Sequence, residues 1–272
     1  MTVLAAALAL LGSLFFALGA AVQQFEAVRA AERGRTGLLS LAGRPRWLFG
    51  GVSIAVGGGL HIVALAFGPL TVVQPMGVAS LLFALPIAAA LHGRRPSRAE
   101  LAAAGAVAAG LAGLVLIVPP ATGSPDLSGP AAVALLAIAG AVALALWGGA
   151  RLTGPAPRAA LLAMAAGVLY GATATLTRVL LDGSWEWWFW LVMPLPALVA
   201  LAVLQRAYAI GRFGVAFAAL QLADPLTAIA FGALLLDEPL PTGPTGVLTA
   251  IAAGALTCAG TFALARTTPL PR

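Results

Sequence analysis

The chain has 272 residues, of which 61% are hydrophobic and only 9% charged, with a mean hydropathy of +1.01. Soluble domains run near 45–50% apolar and about 25% charged, so a soluble core, which needs far more polar cover, is excluded. The composition also excludes a disordered chain, a coiled coil and, with Cys258 as its one cysteine, a disulfide scaffold. The net charge of +6 comes from fifteen arginines and no lysine, spread between long apolar runs, so no nucleic-acid partner is expected. The sequence reads as an all-α, polytopic membrane protein.

A helix needs roughly 20 apolar residues to cross about 30 Å of hydrocarbon. Nine runs qualify: 3–22, 47–67, 70–91, 99–118, 130–150, 159–181, 187–205, 212–236 and 243–265. Breakers mark the joints, among them Gly68-Pro69, Pro119-Pro120, Gly154-Pro155 and Gly243-Pro244. No stretch is long or polar enough to form a second, soluble domain. Fourteen of the fifteen arginines follow odd-numbered spans, and only Arg178 lies at the other end. The positive-inside rule makes the arginine-rich side cytoplasmic, which puts the N-terminus outside and the C-terminus inside. That layout needs an odd number of spans. Span 1 lacks a basic n-region and carries its positive flank after the apolar run, so it reads as a retained span rather than a cleaved signal.

Polar residues inside the runs are the candidates for function, because an intramembrane ionisable group is costly and faces a cavity or a partner. In span 1, Gln23, Gln24 and Glu26 lie toward the arginine-rich end and are expected to form a wet helix end, an inner gate being the alternative. In span 2, His61 follows Gly57-Gly58-Gly59. It has two readings: a proton relay facing Asp224, or a structural hydrogen-bond donor. In span 3, Pro75, beside Gln74, frees the carbonyl of Thr71, and Pro86 frees that of Leu82. Span 6 carries Tyr170, Thr173 and Thr177 on one helix face. That stripe could line a pathway, or its threonines could bond to their own backbone. Arg178, near its end, is expected to pair with Asp182 four residues on. Trp185, Trp187, Trp188 and Trp190 at the start of span 7 read as an interfacial belt.

Span 8 holds the sharpest feature. Asp224 sits at its centre, immediately before Pro225, whose missing N–H leaves the carbonyl of Gln221 without a helical partner. A carboxylate, a free carbonyl and an amide side chain then fall within one turn. Transporters build substrate and ion sites at such interrupted helices. Asp224 is a candidate to bind and release protons there; a structural, hydrogen-bonded acid is the other reading. With only His61 and His92 in the chain, no His-rich metal site can form, and no metal ligand set is assigned. There is no Walker loop, nucleophile elbow or zinc-protease signature, so the chain is not read as an enzyme and no cofactor is expected.

Shifting residues 47–96 by 143 lays Trp47 on Trp190, Gly68 on Gly211 and Pro96 on Pro239, while a shift of 155 lays Gly12 on Gly167. Spans 1–4 thus resemble spans 6–9. An odd span between them turns the second copy over, giving an inverted repeat. The expected organisation is a first repeat at 1–118, a linking span with its loops at 119–158, and an inverted second repeat at 159–272.

The segments Ala207-Tyr208-Ala209-Ile210-Gly211, Asp224-Pro225 and Leu234-Leu235-Leu236-Asp237-Glu238-Pro239-Leu240 resemble the drug/metabolite transporter superfamily, EamA-type exporters included. Asp237 stands where that family usually has glycine. The first half is looser, with Gly68-Pro69-Leu70 and Gly93-Arg94-Arg95-Pro96-Ser97 in the equivalent places. That family typically has ten spans; a nine-span layout, together with the run Phe67 to Pro75, is similar to the NIPA-like magnesium transporters of the same superfamily. The resemblance implies an inner-membrane secondary transporter moving a small solute or cation by alternating access. A NIPA-like divalent-cation permease is the alternative, and a non-transporting structural or lipid-handling protein is the third reading. Asp224, Gln221, Gln74, His61, Tyr170 and Thr173 are the candidate binding residues, with Pro225, Pro75 and Pro86 as helix breaks. The expected partners are the lipid bilayer, a small-molecule or ion substrate and, for assembly, a second copy of the chain.

Overall fold

The computed structural model describes residues 2–35, 37–68, 73, 76–119, 127–181, 193–236, 238–241 and 243–267. Ten helices are defined in chain order: α1 Thr2–Glu32, α2 Leu38–Ala42, α3 Pro45–Phe67, α4 Ser80–Leu91 and α5 Arg98–Ile117, then α6 Gly129–Ala150, α7 Pro155–Leu181, α8 Pro194–Ala209, α9 Phe213–Leu235 and α10 Gly243–Thr267. The described residues contain no strand. Seven of the helices (α1, α3, α5, α6, α7, α9 and α10) are long and apolar enough to cross a bilayer, and Met76–Leu91 and α8 are shorter apolar helices. This is a multi-pass, all-helical membrane architecture.

Most helix bounds fall within a few residues of the apolar runs, and the departures are informative. The first helix continues ten residues past its run, to Glu32, with Gln23, Gln24 and Glu26 buried inside the protein. The short α2 was not anticipated. The seventh helix is described from Pro194 rather than 187, and the tryptophan belt, Asp182, Gln74 and Pro75 lie outside the described residues. Pro86 and Pro225 sit inside α4 and α9, which run on through them, so neither divides its helix. Caps fix two starts. Ser97 accepts from the Glu100 backbone N–H while the Glu100 carboxylate accepts from that of Ser97, and Ser128 caps α6.

Packing rests on glycine. In lipid the apolar effect does not drive helices together, so close van der Waals approach through small residues must do so. Gly12 and Gly19 of α1 face Gly57 and Gly50 of the antiparallel α3: a Cβ on Gly57 would stand 2.6 Å from the Gly12 carbonyl oxygen and 2.8 Å from the Phe16 nitrogen. Gly167 and Gly171 of α7 do the same against α9, where a Cβ on Gly167 would lie 2.7 Å from the Ala223 Cβ. Gly260 of α10 meets the Ala103 carbonyl of α5 at 2.8 Å by the same measure. These three pairs are the tightest in the bundle. Beyond them, α1 also packs along α4 and touches α8, and α7 also packs along α8 and α6.

The helix ends carrying Arg44, Arg94, Arg151, Arg158 and Arg206 meet at one end of the bundle, where they approach the C-terminal third of α1 or one another. Arg178 lies at the other.

A methyl group added at Gly57 is expected to overpack α1 against α3 and cost about 1–3 kcal/mol, typical of an enlarged buried side chain. Gly59, where a Cβ meets nothing within 4 Å, is the control. Thermal unfolding of the detergent-solubilised protein should fall for Gly57→Ala and stay level or rise for Gly59→Ala.

Candidate functional site

A cavity of about 330 Å³ lies between α1, α3, α5, α9 and the segment leading into α4. It runs from mid-helix toward the end opposite the arginines, since its lining residues Ser13, His61, Val115 and Gln221 occupy those levels of their helices. The wall is largely apolar, with Phe16, Val78, Leu111, Val115 and Pro225 around four polar side chains, those of Ser13, His61, Ser80 and Gln221.

Each polar group is positioned by a specific neighbour. Gln221 donates its side-chain N–H to the Ser80 hydroxyl at 3.1 Å, joining α9 to α4. The Ser13 hydroxyl lies 2.6 Å from the Met76 carbonyl and 2.9 Å from that of Ala9. Met76 precedes a turn at Ala79, where the backbone closes i→i+3 bonds, so Ser13 meets backbone that a regular helix would keep to itself. His61 fits between two glycines. A Cβ on Gly12 would lie 3.1 Å from Nδ1 and one on Gly77 3.0 Å from Nε2, and the ring hydrogen-bonds the Val73 backbone. The contact with Val73 is of the kind the structural-donor reading of His61 expects.

Asp224 stands one residue from the cavity wall. Its backbone is pressed against Gly167 and Gly171 of α7. Gln221 and Pro225 line the cavity, while the Asp224 backbone adjoins α7. The Thr173 hydroxyl donates to the Leu169 carbonyl at 2.7 Å and that of Thr177 to the Thr173 carbonyl at 2.7 Å, so the stripe spends its donors on its own helix and keeps only acceptor capacity. Arg178 pairs with Glu238, whose side chain folds over Gly232 and ties the ends of α7 and α9, while the expected partner Asp182 lies outside the described residues.

The arginine-rich end is closed by buried polar pairs. Gln23 and Gln24 are 3% and 0% exposed, which corrects the expectation of a wet helix end. The Trp47 indole N–H donates to the Gln205 side-chain oxygen at 3.1 Å, and the Gln205 amide donates to that of Gln23 at 3.0 Å, linking α3, α8 and α1. Arg44 bridges Glu26 at 2.9 Å. Arg94 grips the buried Glu100 through two 3.0 Å bonds. The Gln24 side-chain oxygen lies 3.1 Å from His92 Nε2, and Phe25 meets the same ring edge-on. Sequence reasoning missed Ser13, Ser80, Gln205 and Glu100. Only Glu100 carried a signal, the Ser97-x-x-Glu100 capping pattern.

Burial holds the His92 imidazolium down first, and Arg94 adds to that, against an opposing pull from Glu32. A histidine depressed in this way favours the closed end while neutral. Its contribution is full above the ordinary histidine value of about 6.5 and is lost as pH falls through the lowered one. Hydrogen-exchange protection factors of the 20–32 and 88–100 segments, corrected for the intrinsic pH dependence of exchange, should therefore fall on acidification below about 6.5, and His92→Phe should flatten that dependence.

An uncharacterised protein of Corynebacterium glutamicum is 28% identical to the chain over 279 aligned residues, covering 98% of this chain and 96% of the relative. No family model matches the chain, and no solved structure gives a significant match.

Proposed function

We propose that this protein is a secondary transporter of the drug/metabolite transporter type that moves a small polar solute by alternating access, with proton coupling through Asp224. The observation that carries the reading is the cavity: a mid-depth hollow with hydroxyl, amide and imidazole groups in an otherwise apolar wall, whose lining residue Pro225 follows Asp224 in α9. Such a pocket suits a compound with an apolar body and a few hydrogen-bonding groups. Transporters place their sites at this depth, between repeats.

The packing pattern supports nine spans in two inverted halves, 1–118 and 159–272, with α6 between them. On that reading α1 corresponds to α7, α3 to α8, α4 to α9 and α5 to α10. In each half the first helix packs on the second and third, and α5 packs on its counterpart α10. The halves are unequal, because α1 lies closest along α3 whereas α7 lies closest along α9. Exchange of these two arrangements is a route from one access state to the other. It would close the cavity and part the Trp47–Gln205–Gln23 chain at the arginine-rich end. The arginine distribution makes that end cytoplasmic, in the cell membrane, with the N-terminus outside.

The polar groups of the cavity favour a solute over magnesium. Mg²⁺ asks for near-octahedral oxygen ligands and carboxylates, whereas the cavity presents two hydroxyls, one amide and one imidazole. Among the described residues no three His, Cys, Asp or Glu side chains gather.

Proteoliposomes carrying a pH dye and a magnesium dye test the reading under an imposed proton gradient with pooled candidate metabolites. A solute-evoked pH change in the wild type, lost in Asp224→Asn, is the expected result. Magnesium entry without a pH signal would replace it with the cation-permease reading. Silence in both channels from folded protein would favour a non-transporting role.

A further inference from the structure

A second cavity, of about 440 Å³, lies at the arginine-rich end among the ends of α1, α6, α7 and α8. Arg151, Arg158 and Arg206 line it, with Trp147, Ala31 and Leu162. The Arg206 guanidinium carbon sits 4.8 Å from the Trp147 ring centroid, and that of Arg151 lies 6.0 Å away. The indole therefore holds two guanidinium groups beside the hollow while Arg158 enters from α7.

Arg151, Arg158 and Arg206 are solvent-exposed and face one hollow, so an anion can reach all three together. At the same end of the bundle, Arg44 and Arg94 have carboxylates of their own, Glu26 and Glu100. No described carboxylate, Glu32 beside Ala31 included, bridges Arg151, Arg158 or Arg206. The donors are the side chains rather than the α7 terminus, because Pro155 and Pro157 remove two of its first N–H groups. Guanidinium forks match the oxygens of a phosphate, and an indole at helix ends marks headgroup depth. Basic pockets between membrane helices take phosphate headgroups for these reasons.

We propose that Arg151, Arg158 and Arg206 form a binding site for a phosphate-bearing anion, either a lipid headgroup or free phosphate. The site is separate from the transport cavity and does not depend on the transport reading. An occupant ties α6, α7 and α8 together, so binding raises thermal stability.

The full chain in phosphatidylcholine nanodiscs provides the test, with two arms read by thermal unfolding and, for lipid, by native mass spectrometry. One arm titrates inorganic phosphate against chloride at constant ionic strength; the other replaces part of the phosphatidylcholine with phosphatidylglycerol. Stabilisation in the lipid arm alone identifies a headgroup site, and stabilisation by phosphate in pure phosphatidylcholine identifies a free-anion site; either supports the proposal. The triple variant Arg151→Gln/Arg158→Gln/Arg206→Gln is expected to lose affinity roughly tenfold or more, as charge-assisted bonds to phosphate are removed. Arg158→Gln, which leaves both ring contacts of Trp147 in place, is expected to weaken binding several-fold and keeps the test valid if the triple variant misfolds. Arg95→Gln, an exposed arginine outside the hollow, should match the wild type. No stabilisation in either arm, equal responses from wild type and Arg158→Gln, or an equal loss in Arg95→Gln would overturn the proposal.

Discussion

Backbone-to-backbone approach at glycine sets the geometry on which the rest of this bundle depends, because helices in lipid gain little from burying apolar side chains against one another. The Gly12–Gly57 and Gly19–Gly50 contacts bring α1 onto α3, and Gly167 with Gly171 brings α7 onto α9. The cavity lies beside the first contact, with Gly12 and Gly57 among its lining residues. Close approach of α7 to α9 presses directly on the backbone of Asp224. Gly12 also serves twice, since the space it leaves admits the His61 ring as well as α3.

Polar groups divide along the membrane normal in a way that follows from dielectric and water access. At the arginine-rich end, the buried carboxylates of Glu26 and Glu100 are matched by Arg44 and Arg94, because an unmatched buried charge there would be costly. At mid-depth, two hydroxyls, an amide and an imidazole line the cavity, with Ser13 on two backbone carbonyls and Gln221 on Ser80. Toward the opposite end, the Arg178–Glu238 pair joins the ends of α7 and α9. Among the described residues, side-chain bonds at the arginine-rich end join α1, α3 and α8 through Gln23, Trp47 and Gln205, and α1 to the end of α4 through Gln24 and His92.

Hydropathy made the helical architecture legible, and arginine spacing made its two ends legible, because both are properties of single segments. What hydropathy could not convey was which polar residue is wet. The drop at Gln23 marks the end of lipid contact but not of the helix, since Gln205 and Trp47 replace the water that Gln23 would otherwise need. Depth and a following proline single out Asp224 in the sequence, but its approach to Gly167 and Gly171, more than fifty residues away, is a tertiary contact that no local pattern carries. Ser13 and Ser80 carried no sequence signal, because a lone serine in an apolar helix gains meaning only from the backbone or amide it meets. Helical spacing aligned the threonine stripe, and local back-bonding took up its donors.

Thiol accessibility at the cavity wall probes the central claim most directly, that a solute-sized space at mid-depth is reached from one end while the arginine-rich end is closed. Cys258 is replaced by serine and Ser80 by cysteine in the full chain, and a membrane-impermeant maleimide is applied to sealed vesicles of each orientation. The account predicts labelling of Ser80→Cys from the Arg178 side, with little from the arginine-rich side. Labelling only from the arginine-rich side, or from neither, would contradict it.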